Sequence, residues 1–287
     1  MLGLMARRRI VKKTPVQKKA IEEVAAKVQP MVPNLLIILL VVVSFFSGYL
    51  FFKLKSLEQS KTTAAVQQTN DAGQPVRPPV SIEQIKKLFA KGFLATGNAD
   101  SKVLFVEISD PSCPFCHMAG GKNPELAGSS TQFKYNSDGG TYTPPVSEMK
   151  KLVDEGKASF VMLYSNGHGN GRLSAEALYC AHEKGNFWEA HDLLMTNEGY
   201  NLINDTVKND KAQSQTLADF LAPAVDAAFM NECLTSGKYT ESLTRDEALA
   251  QQMGFSGTPD FFVNTTNFSG AQDYKTMEPA VKAALGE

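Results

Sequence analysis

The sequence predicts an α/β domain over residues 81–287, preceded by a single membrane-spanning helix. Three observations lead there. Residues 35–52 are a run of 18 without a charge. Residues 102–164 read as strand, helix and strand, with two cysteines where the first strand hands over to the helix. A helical block at about 170–253 then gives way to a strand hairpin and a closing helix. At 43% hydrophobic and 21% charged residues, the composition is that of a globular chain rather than a disordered one.

Residues 1–34 form a basic tail. Arg7, Arg8, Arg9, Lys12, Lys13, Lys18, Lys19 and Lys27 stand against Glu22 and Glu23, which makes +6. The whole chain is −1, so the remainder carries −7 and offers no nucleic-acid footprint. As a helix, residues 35–52 span roughly 27 Å, close to the hydrocarbon thickness of a bilayer. A buried core helix would show a polar face. A cleaved signal peptide has a shorter apolar region with a small-residue site soon after it. Here Lys53-Leu54-Lys55 follows directly, so an uncleaved anchor in contact with membrane lipid is expected. Close to its two ends the basic residues tie, with Lys18, Lys19 and Lys27 against Lys53, Lys55 and Lys61. The full tail tips the balance, placing the N-terminus in the cytoplasm and the domain outside.

Residues 53–80 read as a linker, polar at first and then punctuated by Pro75, Pro78 and Pro79. Ser81 and Gln84 form a capping-box pattern, and Ile82, Ile85, Leu88 and Phe89 share one helical face. Residues 102–108 (KVLFVEI) are a buried strand. Asp110-Pro111-Ser112 turns the chain into a helix that carries Cys113 and Cys116 and is interrupted at Gly120-Gly121. Residues 120–145, rich in Gly, Ser, Thr, Asn and Tyr, read as an inserted, mobile loop. A helix over 146–155 ends at Gly156, and Ala158–Tyr164 is the second strand. Helices follow over 174–184, from an Asn186 cap to Met195, and around 216–221, 226–234 and 239–253. Asp260–Val263 is a third strand, a weaker one lies near 267–269, and Tyr274–Leu285 is the last helix.

Three segments occur in order: VLFVEISDPSCPFC, CAHEKGNFWEAHDLL and GFSGTPDFFVN. Through them residues 81–285 resemble the DsbA-like branch of the thioredoxin superfamily, in its membrane-anchored form. The resemblance implies a thioredoxin-like fold with an inserted helical domain. It excludes the tail, the anchor and residues 120–145.

At a helix N-terminus Cys113 meets unpaired N–H groups and the positive end of the helix dipole. Both favour the thiolate, which is the attacking species. Cys116, one turn on, can close a disulfide with it or resolve a mixed disulfide. Pro114 and Phe115 are the spacer. The pair could instead be half of a zinc site, but such sites want four ligands, and Cys180 and Cys233 do not supply a second CxxC. Cys113 to His117 also fits c-type haem attachment, with His117 as axial ligand. That reading leaves the preceding strand and Thr258-Pro259 without a purpose, and His117 reads better as a polar neighbour of Cys116. Glu107 is costly to bury in an apolar strand without a role. By resemblance it lies beneath the second cysteine and assists its proton transfer; the alternative is a solvated edge position. Pro259 is implied to be cis and to face the cysteines, with the Thr258 backbone pairing with substrate as an added strand. An ordinary turn proline is the alternative. Cys180 and Cys233 are expected to form a structural disulfide outside the cytoplasm. A metal site of Cys180, His182, His191 and Cys233 is the other option. Phe187, Trp188 and Leu194 read as core, and nothing singles out His168.

The expected function is that of a protein thiol–disulfide oxidoreductase of the bacterial cell membrane, with its catalytic domain extracytoplasmic. It would introduce disulfides into exported cysteine-containing proteins and need no cofactor or metal. The resemblance implies reoxidation by a quinone-linked membrane protein of the DsbB or VKOR type. A reductase or isomerase would use the same cysteines, because the Pro-Phe spacer alone does not set a reduction potential. A redox-silent binding module is the alternative from another class.

Overall fold

The computed structural model describes residues 79–287. The basic tail, the anchor over 35–52 and the linker as far as residue 78 lie outside the described residues. Among the described residues no helix is long and apolar enough to cross a membrane.

Two parallel strands, β2 (Val103–Ser109) and β3 (Ala158–Tyr164), lie at the centre of one sheet. β1 (Leu94–Thr96) pairs antiparallel with the outer side of β3. On the other side β4 (Asp260–Val263) pairs antiparallel with β2, and β5 (Thr266–Ser269) closes the sheet against β4. The order is therefore β1-β3-β2-β4-β5. Every residue of β2 and β3 is buried, which is why both are mostly apolar, broken only by Glu107, Ser109 and Ser159: strands covered on both faces have no solvent side to show.

Alternation along the strands sorts the core into two layers. Phe105, Phe160, Met162 and Phe261 face a layer containing α2 (Pro114–Gly120), α4 (Pro145–Asp154), α5 (Arg172–Glu183) and α6 (Phe187–Leu194). Leu104, Val106, Ile108, Val161 and Phe262 face the opposite layer. There Ile85 of α1 (Ile82–Lys87) packs beside Ala250 of α10 (Thr240–Gln252). Ser81 and Gln84 close the capping box at the start of α1. The chain also forms the short α3 (Pro124–Gly128) and α7 (Asn197–Asn201), while a π-helical turn at Leu202–Val207, α8 (Ser214–Phe220) and α9 (Ala227–Ser236) add Ile203, Leu217 and Met230 to the first layer. A closing helix, α11 (Tyr274–Leu285), packs Met277 and Val281 into the first layer. Cys180 of α5 is bonded to Cys233 of α9, 53 residues away. The two thiols therefore ligate no metal together with His182 and His191.

Two expectations need correction, and two segments carried none. β1 is too short to announce itself by alternation. Asn186 precedes α6, but its side chain makes no cap; it donates instead to the Ala224 carbonyl at 2.7 Å. The stretch between Met195 and Ser214, unassigned from sequence, holds α7 and the π-helical turn. The largest correction is residues 120–145. They contain α3 and a short 3₁₀ turn, Asn136–Asp138, and bury Ala127, Tyr135 and Tyr142 with Met118 in a small cluster of their own. Glycine and serine content suggested mobility, but the aromatic side chains supply a core.

Candidate active site

Seven buried strand residues lead the chain straight to the site. After β2, Asp110 fixes the turn. Its carboxylate accepts from the Ser112 amide at 2.8 Å, the Ser112 hydroxyl at 2.7 Å, the Gly167 amide at 2.9 Å and the His168 amide at 2.7 Å. Asn204 of the π-helical turn donates to the Ser112 carbonyl at 3.2 Å. Cys113 is then the N-cap of α2, with Pro114 as the first helical residue, where a missing N–H costs nothing. The helix ends at Gly121 in the left-handed conformation (φ 75°). A side chain there would also collide with Pro144 and Ser147.

Cys113 and Cys116 are both buried thiols, and Cys113 is drawn down from an ordinary 9.0 to about 6. The Cys116 thiol beside it is the main cause. Burial opposes the shift, while the Thr258 hydroxyl and the amides of Phe115 and Cys116 assist it. Cys116 moves the opposite way. Burial, with the Cys113 sulfur adjacent, holds it well above the usual thiol range. One cysteine is thus poised as a thiolate and the other as a thiol.

The Thr258–Pro259 peptide is cis, and the Thr258 carbonyl lies 3.5 Å from Cys113 Sγ. Gly167 leaves room for this contact, since a Cβ there would strike the Thr258 hydroxyl. Glu107 lies on the central strand and is 1% exposed, which removes the solvated-edge reading. It faces the α2 side of the sheet, where its charge raises the Cys116 thiol further. Burial raises the Glu107 carboxyl above its ordinary value, opposed first by His191 and then by nearby Ser109. Neither carboxyl oxygen has a hydrogen-bond partner.

His117 is wholly buried. Its Nε2 is 2.7 Å from the Pro111 carbonyl and its Nδ1 3.1 Å from the Met195 carbonyl, and its ring meets Tyr200 edge-on at 4.9 Å. Burial lowers its pKa to about 4 against the pull of those two carbonyls. With both nitrogens engaged, the ring does not fit the axial-ligand role of the haem reading. It is a strut that ties α2 to the end of α6.

Phe115, by contrast, is 47% exposed at the mouth of the site. Phe133 packs on it edge-on at 5.7 Å, and Tyr142 on Phe133 at 5.3 Å. Tyr135 donates to the His117 carbonyl at 3.3 Å. The segment read as a loop is therefore a strap laid against the redox helix.

Sequence reasoning brought Cys113, Cys116, Glu107, Thr258 and Pro259 forward, and the structure gathers them around one helix end. Cys180 and Cys233 lie in the helical block and contribute no atom to the site. Asp110, Ser112, Tyr200 and Asn204 were missed. Asp110 had a signal: an acid just beyond an apolar strand and two residues before Ser112, the pattern of an Asx turn. Asn204 had none, because the π-helical turn that presents it is irregular, and Tyr200 sits in α7, a helix too short to show a period.

The family model described as Thioredoxin matches residues 146–283, starting downstream of the two cysteines. The structure is similar to oxidised BdbD from Bacillus subtilis, with a TM-score of 0.50 and 20% identity over 74% of this chain and 98% of that one. It is similar also to α-DsbA1 from Wolbachia pipientis, with a TM-score of 0.53 and 16% identity over 72% and 96% of the two chains. In sequence, 192 residues are 26% identical to the Na(+)/H(+) antiporter NhaA 3 of Salinispora tropica, 66% of this chain and 24% of that protein. The chain spans about a quarter of the length of the curated relatives it matches, and the antiporter name is theirs. With a mixed sheet, a helical insertion and a CxxC helix end set against a cis-proline, the described residues have a thioredoxin-like fold, and residues 146–283 match the Thioredoxin family model.

Proposed function

We propose that this chain is a thiol–disulfide oxidoreductase that introduces disulfides into exported proteins, held at the bacterial cell membrane by residues 35–52. The observation that carries the reading is the unequal pair: Cys113 lowered to about 6, Cys116 raised. A substrate thiolate attacks Cys113 Sγ of the oxidised pair. The Cys113–Cys116 bond breaks, and Cys116 leaves with the electron pair and takes up a proton. The second substrate thiolate then attacks the substrate sulfur of the mixed disulfide, and Cys113 departs as a thiolate. Two electrons have passed from substrate to enzyme. A leaving thiol of low pKa departs fast, and a stabilised thiolate makes the disulfide a stronger oxidant. The Thr258 backbone lies where an extended substrate could add as a strand. A quinone-linked membrane protein of the DsbB or VKOR type would restore the disulfide, and no cofactor of the chain's own takes part.

A second reading has its own observation. Glu107 is placed to accept the Cys116 proton, and that proton must leave when Cys116 attacks a mixed disulfide. This is the step a reductase or isomerase uses. The test is the full chain in detergent with a dithiol peptide. Oxidation should be abolished by Cys113→Ser, and Cys116→Ser should accumulate mixed disulfides seen on non-reducing gels. Full turnover by Cys113→Ser sinks the assignment.

A further inference from the structure

The proton that Glu107 handles has no evident way out. β2 is central in the sheet, the carboxyl is buried, and its oxygens make no well-formed hydrogen bond, with the Ser109 hydroxyl the one neighbouring donor that bears on them. An unpartnered buried polar atom destabilises a fold, so such an atom in a native structure calls for an explanation. A second unpartnered polar atom belongs to the same face. His191, on α6, is 1% exposed, and its Nε2 has no hydrogen-bond partner. Trp188, whose ring is 5.5 Å from His191, also packs at 4.8 Å on Phe160. Phe160 lies in register with Phe105 on the sheet face that Glu107 shares, so α6 lays the imidazole over that face. There its charge opposes the burial that raises the Glu107 carboxyl. Its other nitrogen is engaged: Nδ1 lies 3.1 Å from Asp192 Oδ1. Asp192 in turn pairs with Lys122 at 2.8 Å, and its side chain is 29% exposed. Lys122, Asp192 and Trp188 line a cavity of about 380 Å³ that opens to solvent. Trp188 holds the imidazole from one side at 5.5 Å, edge to face.

We propose that Glu107, His191 and Asp192 form a proton relay that connects Cys116 to solvent at the Lys122 cavity. The proposal rests on the oxidoreductase reading. When Cys116 attacks, its thiol proton passes to the Glu107 carboxylate and the sulfur keeps the electron pair. Glu107 hands the proton to His191 Nε2, directly or through a water that would satisfy both unpartnered atoms. The imidazolium releases its Nδ1 proton to Asp192, which gives it to solvent. Ring rotation or the reverse passage resets the tautomer. In the opposite direction, when Cys116 leaves as a thiolate, the same path delivers a proton. Cys116, Ser109 and His191 are the groups that bear on Glu107, and His191, then Lys122, keep Asp192 charged, so that it holds a proton only in passing to solvent. Burial opposes ionisation of Asp192, but its bonds to His191 and Lys122 outweigh it.

The test is the stopped-flow rate at which Cys116 resolves a preformed Cys113 mixed disulfide, in the full chain in detergent. His191→Gln keeps a polar amide but shuttles no proton. The rate should fall about tenfold, a part of the 10²–10⁴ that positioned acid–base groups supply. The Cys113 thiolate titration should not move. Asp192→Asn, at the cavity rim, should lower the rate in the same direction without threatening the fold. In a Glu107→Gln background His191→Gln should add nothing, because residues acting in one chain are not additive. Equal rates for wild type and both single variants would overturn the relay. So would fully additive losses. A wild-type chain that exchanges no disulfides fails the underlying reading instead, and is recognised before any variant is made.

Discussion

Cys113 and Cys116 stand three residues apart on one helix, yet their surroundings push them in opposite directions. Cys113 gathers donors at a helix N-terminus, while Cys116 is fully buried, feels the Glu107 charge and has only the Asp110 backbone to set against burial. The lowered value has a signed consequence. It stabilises the folded, reduced form fully above the ordinary 9.0, progressively less down to about 6, and not below it. The Thr258 hydroxyl is one of the donors, so Thr258→Val, which keeps the shape and removes the hydroxyl, should move the Cys113 titration from about 6 towards ~7. Alkylation at pH 6 should slow accordingly, with little change at pH 9. An unmoved midpoint would show that the hydroxyl does not reach the sulfur in solution. Glu107 was legible because an acid in an apolar strand is conspicuous. The electrostatic influence of His191 on Glu107 was not, since β2 and α6 are far apart in sequence.

The helix that carries the cysteines does not stand alone. Phe133 and Tyr135 come from the strap over residues 121–143 and hold Phe115 and the His117 carbonyl. An aromatic pair of this kind is worth roughly 0.5–1.5 kcal/mol beyond its buried area. Phe133→Ala should therefore lower kcat/KM for a dithiol peptide about 3- to 10-fold, with the Cys113 titration unchanged. Peptide kinetics equal to wild type would reduce the strap to packing. The strap was misread for a physical reason. Its secondary structure is short and its polar residues many, so no periodicity emerges. Only the spacing of Phe133, Tyr135 and Tyr142 hinted at a core. The long strands and the helices with apolar faces were visible to within a few residues, because burial on the sheet faces imposes a pattern. The π-helical turn at Leu202–Val207 imposes none, although it delivers Asn204 to the site.

The sheet and the helical block hold the active-site turn between them, and the Cys180–Cys233 bond ties α5 to α9 within that block. Its 53-residue separation corresponds to about 4 kcal/mol on the chain-entropy account. Replacing both cysteines with Ala should lower the melting temperature by several degrees and leave peptide oxidation intact in the folded fraction. Loss of that activity from folded protein would mean that the block's geometry feeds the site. The Cys113–Cys116 pair carries the larger claim, that this chain gives disulfides away. A redox titration of the full chain against glutathione tests it most directly. The account predicts one two-electron couple at about −180 mV or more oxidising, in the range of disulfide-donating proteins. A couple near −270 mV, where thioredoxin-type reductants lie, would contradict it.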